Sequence, residues 1–293
     1  MKIIKYLTSR DKRTIKYLQE TKDRHIIETG YYNLDEHIVC ISSQIGCPMG
    51  CIFCATTAPI DLLKNANKRF IRNLTSREIV AQAKNVLCLV NQKNLKSKRI
   101  LFSYMGMGEP FLNYENVVES IKILSKLFPN SRTTVSTIGI RPGFIKKLAH
   151  ERINTILKLH LSLHASTDAL RKKILPASSQ IKPTLDALKY FSSTRNTPAK
   201  VNYILIKNIN DSKRQAIQLA KLLKPYSFTA KLSNLNDFKN LKSSGKNKFK
   251  MFEKVLNSSG VQTSRFFSAG IDIEAGCGQL RRHFYGERSP RKN

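Results

Sequence analysis

Cys47-Pro-Met-Gly-Cys51-Ile-Phe-Cys54 sets three cysteines at spacings of four and three, just behind the apolar run His37-Ile-Val-Cys-Ile41. Three thiolates so placed can hold three corners of a [4Fe–4S] cubane and leave one iron without a protein ligand, whereas electron-transfer clusters use four cysteines. A structural zinc site closes with four ligands, commonly in paired Cys-x-x-Cys units. The next cysteine downstream, Cys88, lies on a helical apolar face with Ile79, Val80 and Leu87 and reads as core. The spacing therefore favours a cluster with one open iron.

Outward from that loop, short apolar runs alternate with amphipathic helical patterns. Strands are expected over 37–41, 99–104, 132–137, 155–161, 201–206, 229–233 and 261–265. Helices are expected over 75–90, 114–127, 141–150, 167–173, 182–192, 212–223 and 248–256. Strands separated by helices predict βα repeats around a parallel sheet, hence an α/β fold. Thr75-Ser-Arg-Glu78 is a capping box that starts one of these helices. The stretch 240–248 reads as an exposed loop. Residues 1–36 read as a short basic extension with a helix near 10–19, residues 37–280 as the catalytic unit, and 281–293 as a disordered basic tail.

Lysine and arginine number 51 against 20 acidic residues, for a net charge of +31. An excess of that size favours a polyanionic partner, with nucleic acid first. Hydrophobic residues make up 41% of the 293, enough for a large core. No apolar run approaches a membrane span, and the first residues lack a signal-peptide pattern, so a cytoplasmic protein without a membrane partner is expected.

Two further motifs carry chemistry. Tyr104-Met-Gly-Met-Gly-Glu-Pro110 follows a strand, where loops at C-terminal strand ends build sites in parallel folds. Its glycines permit close backbone approach, and Glu109 can pair with an ammonium group such as that of S-adenosylmethionine (SAM), a chelating ligand for the open iron. In Leu157-Lys-Leu-His-Leu-Ser-Leu-His164 the leucines take every second position, so Lys158, His160, Ser162 and His164 share the opposite face. A parallel sheet is normally apolar on both faces, so this polar one suggests a site. Ser136 ends the preceding strand similarly. Cys277, between two glycines, suits an exposed reactive loop. Cys40 lies within the first expected strand. Each cysteine alone is more often a buried small residue.

Together these stretches resemble the RlmN/Cfr family of radical-SAM RNA adenine methyltransferases. The resemblance covers about 27–280 and includes 40–47, the cluster loop running on to Ala55-Thr56, 105–113, 135–139, 159–165, 171–177, 203–212 and 272–280. It implies a partial (βα)6-type radical-SAM barrel of parallel strands. It also implies one [4Fe–4S] cluster per chain on Cys47, Cys51 and Cys54. SAM contacts would come from Gly108, Glu109, Ser136, Ser162, Leu163, His164 and an asparagine, Asn236 in preference to Asn234. Two SAM molecules would be used, one methylating Cys277 and one generating the radical that activates its S-methyl group. Cys40 would resolve the RNA adduct through a transient disulfide with Cys277, and Glu28 would be the proton acceptor. The implied substrate is adenine in structured RNA (23S rRNA, tRNA or both), at C2 in preference to C8. The implied partner is a flavodoxin-type or similar electron donor, and a monomer is favoured. Only 46 residues precede Cys47, so a shortened accessory region is expected. The alternatives are a radical-SAM enzyme for another substrate and a non-enzymatic basic RNA-binding protein with a structural metal site.

Overall fold

A computed structural model describes residues 1–57, 69–90, 92–236, 238–266, 269–273, 276 and 278–288. The strands are β1 (Lys2–Thr8), β2 (Thr14–Glu20), β3 (Ile26–Asn33), β4 (His37–Cys40), β5 (Gln44–Gly46), β6 (Phe70–Asn73), β7 (Ile100–Tyr104), β8 (Ser131–Thr137), β9 (Ile156–Ser162), β10 (Lys200–Leu205), β11 (Thr229–Asn234) and β12 (Thr263–Phe266). The helices are α1 (Ser76–Leu87), α2 (Gln92–Ser97), α3 (Tyr114–Leu127), α4 (Pro142–Ala149), α5 (Asp168–Ile174), α6 (Ile181–Arg195), α7 (Lys213–Leu223), α8 (Lys246–Ser258) and α9 (Gln279–Arg288).

Ten strands form one sheet in the order β1-β2-β3-β4-β7-β8-β9-β10-β11-β12, and β5 pairs separately with β6. From β4 onward all neighbours in the large sheet are parallel, as the βα alternation predicts. The two faces of this sheet differ sharply. Val39, Phe102, Val135, Leu157, Leu159, Leu161, Val201, Tyr203 and Leu232 join the helices in one continuous core. The alternate positions, Cys40, Ser103, Thr134, Ser136, Lys158, His160, Asn202, Lys231 and Ser233, form a polar inner face.

Four expectations need correction. The helix near 10–19 is absent: β1, β2 and β3 are antiparallel and extend the sheet from β4. Both faces of β2 are covered, with Tyr17 and Leu18 only 3% and 0% exposed, so the strand shows no clean alternation. Residues 281–288 are not a disordered tail but most of α9. Leu280 and Phe284, one turn apart, pack on Leu18 and Ile26. Residues 246–248 belong to α8 rather than to a loop. Cys88 is exposed, because as the C-cap of α1 it is rotated off the face of Ile79, Ala83 and Val86.

Candidate active site

The Cys47–Cys54 loop leaves β5 and is tied down at several points. Cys47 N–H donates to the Arg69 carbonyl (2.7 Å) and Ile52 N–H to that of Ile174 (3.2 Å). Thr57 Oγ1 caps the loop by donating to the carbonyls of Cys54 (2.9 Å) and Cys51 (3.1 Å). Burial pushes the Cys47 and Cys51 thiols up, and Cys54 and Glu109 add to it by charge repulsion. Buried thiols in that condition favour a metal centre, whose positive charge stabilises the thiolates. Among the described residues no three His, Cys, Asp or Glu side chains are grouped to hold a metal ion.

Glu109 lies beneath this loop, 3% exposed. It accepts from Phe111 N–H (3.1 Å), Thr137 Oγ1 (2.7 Å) and Ile138 N–H (3.0 Å). Burial raises its pKa despite these donors, so a cationic partner would relieve it. Gly108 has φ +103°, and a Cβ there would meet Ser43 Oγ and Gln44 Cβ, both at 2.7 Å; a side chain would push the Glu109 turn away from β5. Ser136 Oγ and Asn202 Oδ1 on the inner face are buried without a hydrogen-bond partner. The orphaned Ser136 hydroxyl, one residue before Thr137, which bonds a carboxylate short of a cation, fits a polar, cationic ligand such as SAM.

His164 follows β9 with φ +54°. Its Nδ1 accepts from Ile204 N–H (3.1 Å), and burial takes its pKa down to about 3, so the ring is neutral with its proton on Nε2. Phe53 of the cysteine loop meets the ring edge-on at 5.1 Å. Leu163 is fully buried, and Ser162 ends β9. Asn234 and Asn236 both line a cleft of about 690 Å³ with Ala55, Gln279 and Arg282, next to the end of the cysteine loop.

Glu28 is a buried anchor. It is 1% exposed and paired with Lys16 at 2.8 Å. It also accepts from Gly278 N–H (2.9 Å) and Arg281 N–H (2.7 Å). Gly278 has φ +80°, and a Cβ there would lie 2.4 Å from Thr56 N, at the end of the cysteine loop. Cys277 lies outside the described residues, but its chain neighbour is fixed between Glu28 and Thr56. Cys40 is buried on β4, opposite Gly30 of β3 and so on the same face of the sheet as Glu28.

Three supporting residues escaped the sequence reading. Arg171 is 1% exposed and donates to the carbonyls of Ile138 and Leu163, which joins the ends of β8 and β9. Asn210 Nδ2 donates to the His164 carbonyl (2.8 Å) and holds its strained backbone. Gln44 Oε1 accepts from Glu109 N–H (2.9 Å). A polar side chain inside a helical or loop pattern gives no local sign that it will be buried.

Residues 41–220 match the Radical SAM superfamily. A "Probable dual-specificity RNA methyltransferase RlmN" of Pseudothermotoga lettingae is 39% identical over 96% of this chain and 79% of its own length. A protein of the same name from Clostridium botulinum is 35% identical over 97% and 80%. The crystal structure of a radical SAM methyltransferase from Sphaerobacter thermophilus superposes with a TM-score of 0.83 and 32% identity over 96% of this chain and 81% of that one. Methylornithine synthase, 15% identical with a TM-score of 0.51, shares the fold alone. The chain belongs to the radical SAM superfamily and, within it, to the RlmN family of dual-specificity RNA methyltransferases.

Proposed function

We propose that this enzyme methylates an adenine carbon, C2, in 23S rRNA, tRNA or both, with Cys277 as the methyl carrier. The observation that supports this most is the seating of Gly278 and Arg281 on Glu28, beside the end of the Cys47–Cys54 loop. It sets Gly278, the chain neighbour of Cys277, against Thr56, two residues after Cys54, which supports a methyl carrier working beside the cysteine loop.

Cys47, Cys51 and Cys54 would hold one [4Fe–4S] cluster, and Glu109, Gly108, Ser136, Ser162, Leu163, His164 and Asn236 would hold SAM. When bound, the pair supplies the methyl group and, after one-electron reduction, a hydrogen-abstracting radical. The chain's own residues do the rest. Cys277 carries the methyl as a thioether and delivers it as a carbon radical, which adds to an electron-poor ring carbon that a methyl cation equivalent does not attack. Glu28 accepts the proton lost from that carbon, its ionised state matched by Lys16. Cys40 as thiolate attacks the Cys277 sulfur: the S–S bond forms as the S–CH2 bond to the base breaks, the freed carbon takes up a proton to complete the methyl group, and the unpaired electron of the adduct returns to the one-electron carrier that the electron donor serves. The base must be unstacked to reach Cys277. The enzyme works as a cytoplasmic monomer fed by a flavodoxin-type electron donor.

The test is mass spectrometry of the Cys277 peptide after anoxic cluster reconstitution and incubation with methyl-labelled SAM. The expected result is one labelled methyl on Cys277. Unlabelled Cys277 in protein with an intact cluster overturns the reading.

A further inference from the structure

The inner face carries a second feature, apart from the mouth. Register places Leu101 of β7 beside Arg132 of β8, and Thr134 of β8 beside Lys158 of β9. It also places His160 of β9 beside Lys200 of β10, and Asn202 of β10 beside Lys231 of β11. Arg132, Lys158, Lys200 and Lys231 thus form a diagonal row that advances two residues per strand. Ser136 and Ser162 lie further along the same strands, toward the mouth.

The row is short of anions. Arg132 pairs with Glu36, but no carboxylate contacts Lys158, Lys200 or Lys231 among the described residues. The cations repel one another: burial lowers the Lys158 pKa, with Arg132 and Lys200 adding to it against a smaller opposing pull from Glu36, and burial with Lys200 brings Lys231 down to about 8. His160 sits among all four, and its buried Nδ1 has no hydrogen-bond partner. The row ends on an aromatic ring. Lys231 Nζ lies 4.0 Å from the centre of Phe266, on edge strand β12, and Phe266 is 43% exposed. Lysines with no carboxylate in contact, beside an exposed ring, are the two elements of a single-strand nucleic-acid groove, one for phosphates and one for a base face.

We propose that Lys158, Lys200, Lys231 and Phe266 form a contact for single-stranded RNA, in which the lysines take backbone phosphates and Phe266 stacks a base. The site deepens the RNA-directed reading above and rests on it. S-methylation of Cys277, assayed without RNA, tests that reading separately, so the two can fail independently.

The experiment is fluorescence anisotropy of a fluorescein-labelled single-stranded RNA against the full chain, across a salt series. The variants are Lys158→Gln/Lys200→Gln/Lys231→Gln, Phe266→Ala, and a control triple, Lys126→Gln/Lys189→Gln/Lys221→Gln, on exposed helix positions. Three lost phosphate contacts should flatten the slope of log K against log salt by about 2. The control triple should move it by well under one unit. Phe266→Ala should weaken binding about tenfold with the slope unchanged, as loss of one stacked base does. If the inner-face triple does not fold, Lys231→Met alone should flatten the slope by about 0.7. Equal effects of the two triples overturn the proposal. So does inorganic phosphate that raises the melting temperature of the wild type but not of the inner-face triple, while the two bind RNA alike; the row would then hold the free ion.

Discussion

The two faces of β9 are made from alternate residues of one stretch, yet they do opposite work. Leu157, Leu159 and Leu161 are at most 2% exposed and sit in the core. Lys158, His160 and Ser162 face inward among other polar groups. The outward face is optimised for burial. The inward face holds unpartnered atoms and repelling charges that cost stability and make sense as ligand contacts. Sites in this protein are therefore where the local rules of packing are broken, and stability measurements on matched positions can test that division.

The largest expected effect is at the polar pair on the inner side of β2 and β3. Lys16 and Glu28 are 3% and 1% exposed at their side chains. Lys16→Met leaves Glu28 buried without its countercharge and should cost about 3–5 kcal/mol in urea unfolding. Lys16→Met with Glu28→Leu should recover most of that, because replacing both charges removes the desolvation penalty. The double variant should nonetheless speed hydrogen exchange at the amides of Gly278 and Arg281, which lose their acceptor. A single variant within about 1 kcal/mol of wild type would mean the pair is hydrated rather than buried.

Next is the outward face. Leu159→Ala should cost about 2–5 kcal/mol, since a fully buried leucine leaves both lost transfer energy and a cavity. The companion Lys158→Ala should cost far less, so the two values together measure the contrast between the faces. Similar losses at both would show that the inner face is also packed for stability.

The third effect is pH dependence. Burial brings His160 and His164 to about 3, with Lys231, Lys200, Lys158 and Arg132 adding to the effect at His160 and Arg171 at His164. The folded protein therefore binds fewer protons than the unfolded chain, whose histidines titrate near 6.5. Their contribution to stability is complete above about pH 6.5 and is lost as pH falls from there toward 3. Together they should remove about 2–3 kcal/mol between about pH 7.5 and 5.5. His160→Gln should halve the difference between the two pH values, and an unchanged difference would place the loss elsewhere.

Much of this was legible from sequence because the signals are local. The strands from β4 to β12 in the large sheet were readable since each is a short apolar run between helical patterns. The cysteine loop and the Glu109 turn were readable since each needs particular residue types at fixed spacing. The N-terminal strands were not: β2 is covered on both faces and mixes Lys16 and Gln19 with Tyr17 and Leu18, and its helical look is an accident of spacing. Nor was α9, whose two apolar anchors meet partners more than 250 residues away in a chain stretch dominated by arginine. The burial of Glu28 was hidden for the same reason. Its donors, Gly278 and Arg281, are 250 and 253 positions distant.

The smallest effect is the most specific to the contrast. Lys158→Met keeps the aliphatic stem and removes one charge from a row in which burial, Arg132 and Lys200 already lower its pKa. Most charge deletions at paired sites destabilise. Here the deletion relieves repulsion and removes a partly buried cation, so the variant should be more stable than wild type by about 0.5 kcal/mol. The gain should shrink as salt rises, because added ions screen the repulsion in the wild type as well. A loss of stability at low salt would mean that the attraction of Glu36 for Lys158 outweighs the repulsion, and that the inner face is balanced in charge without a ligand.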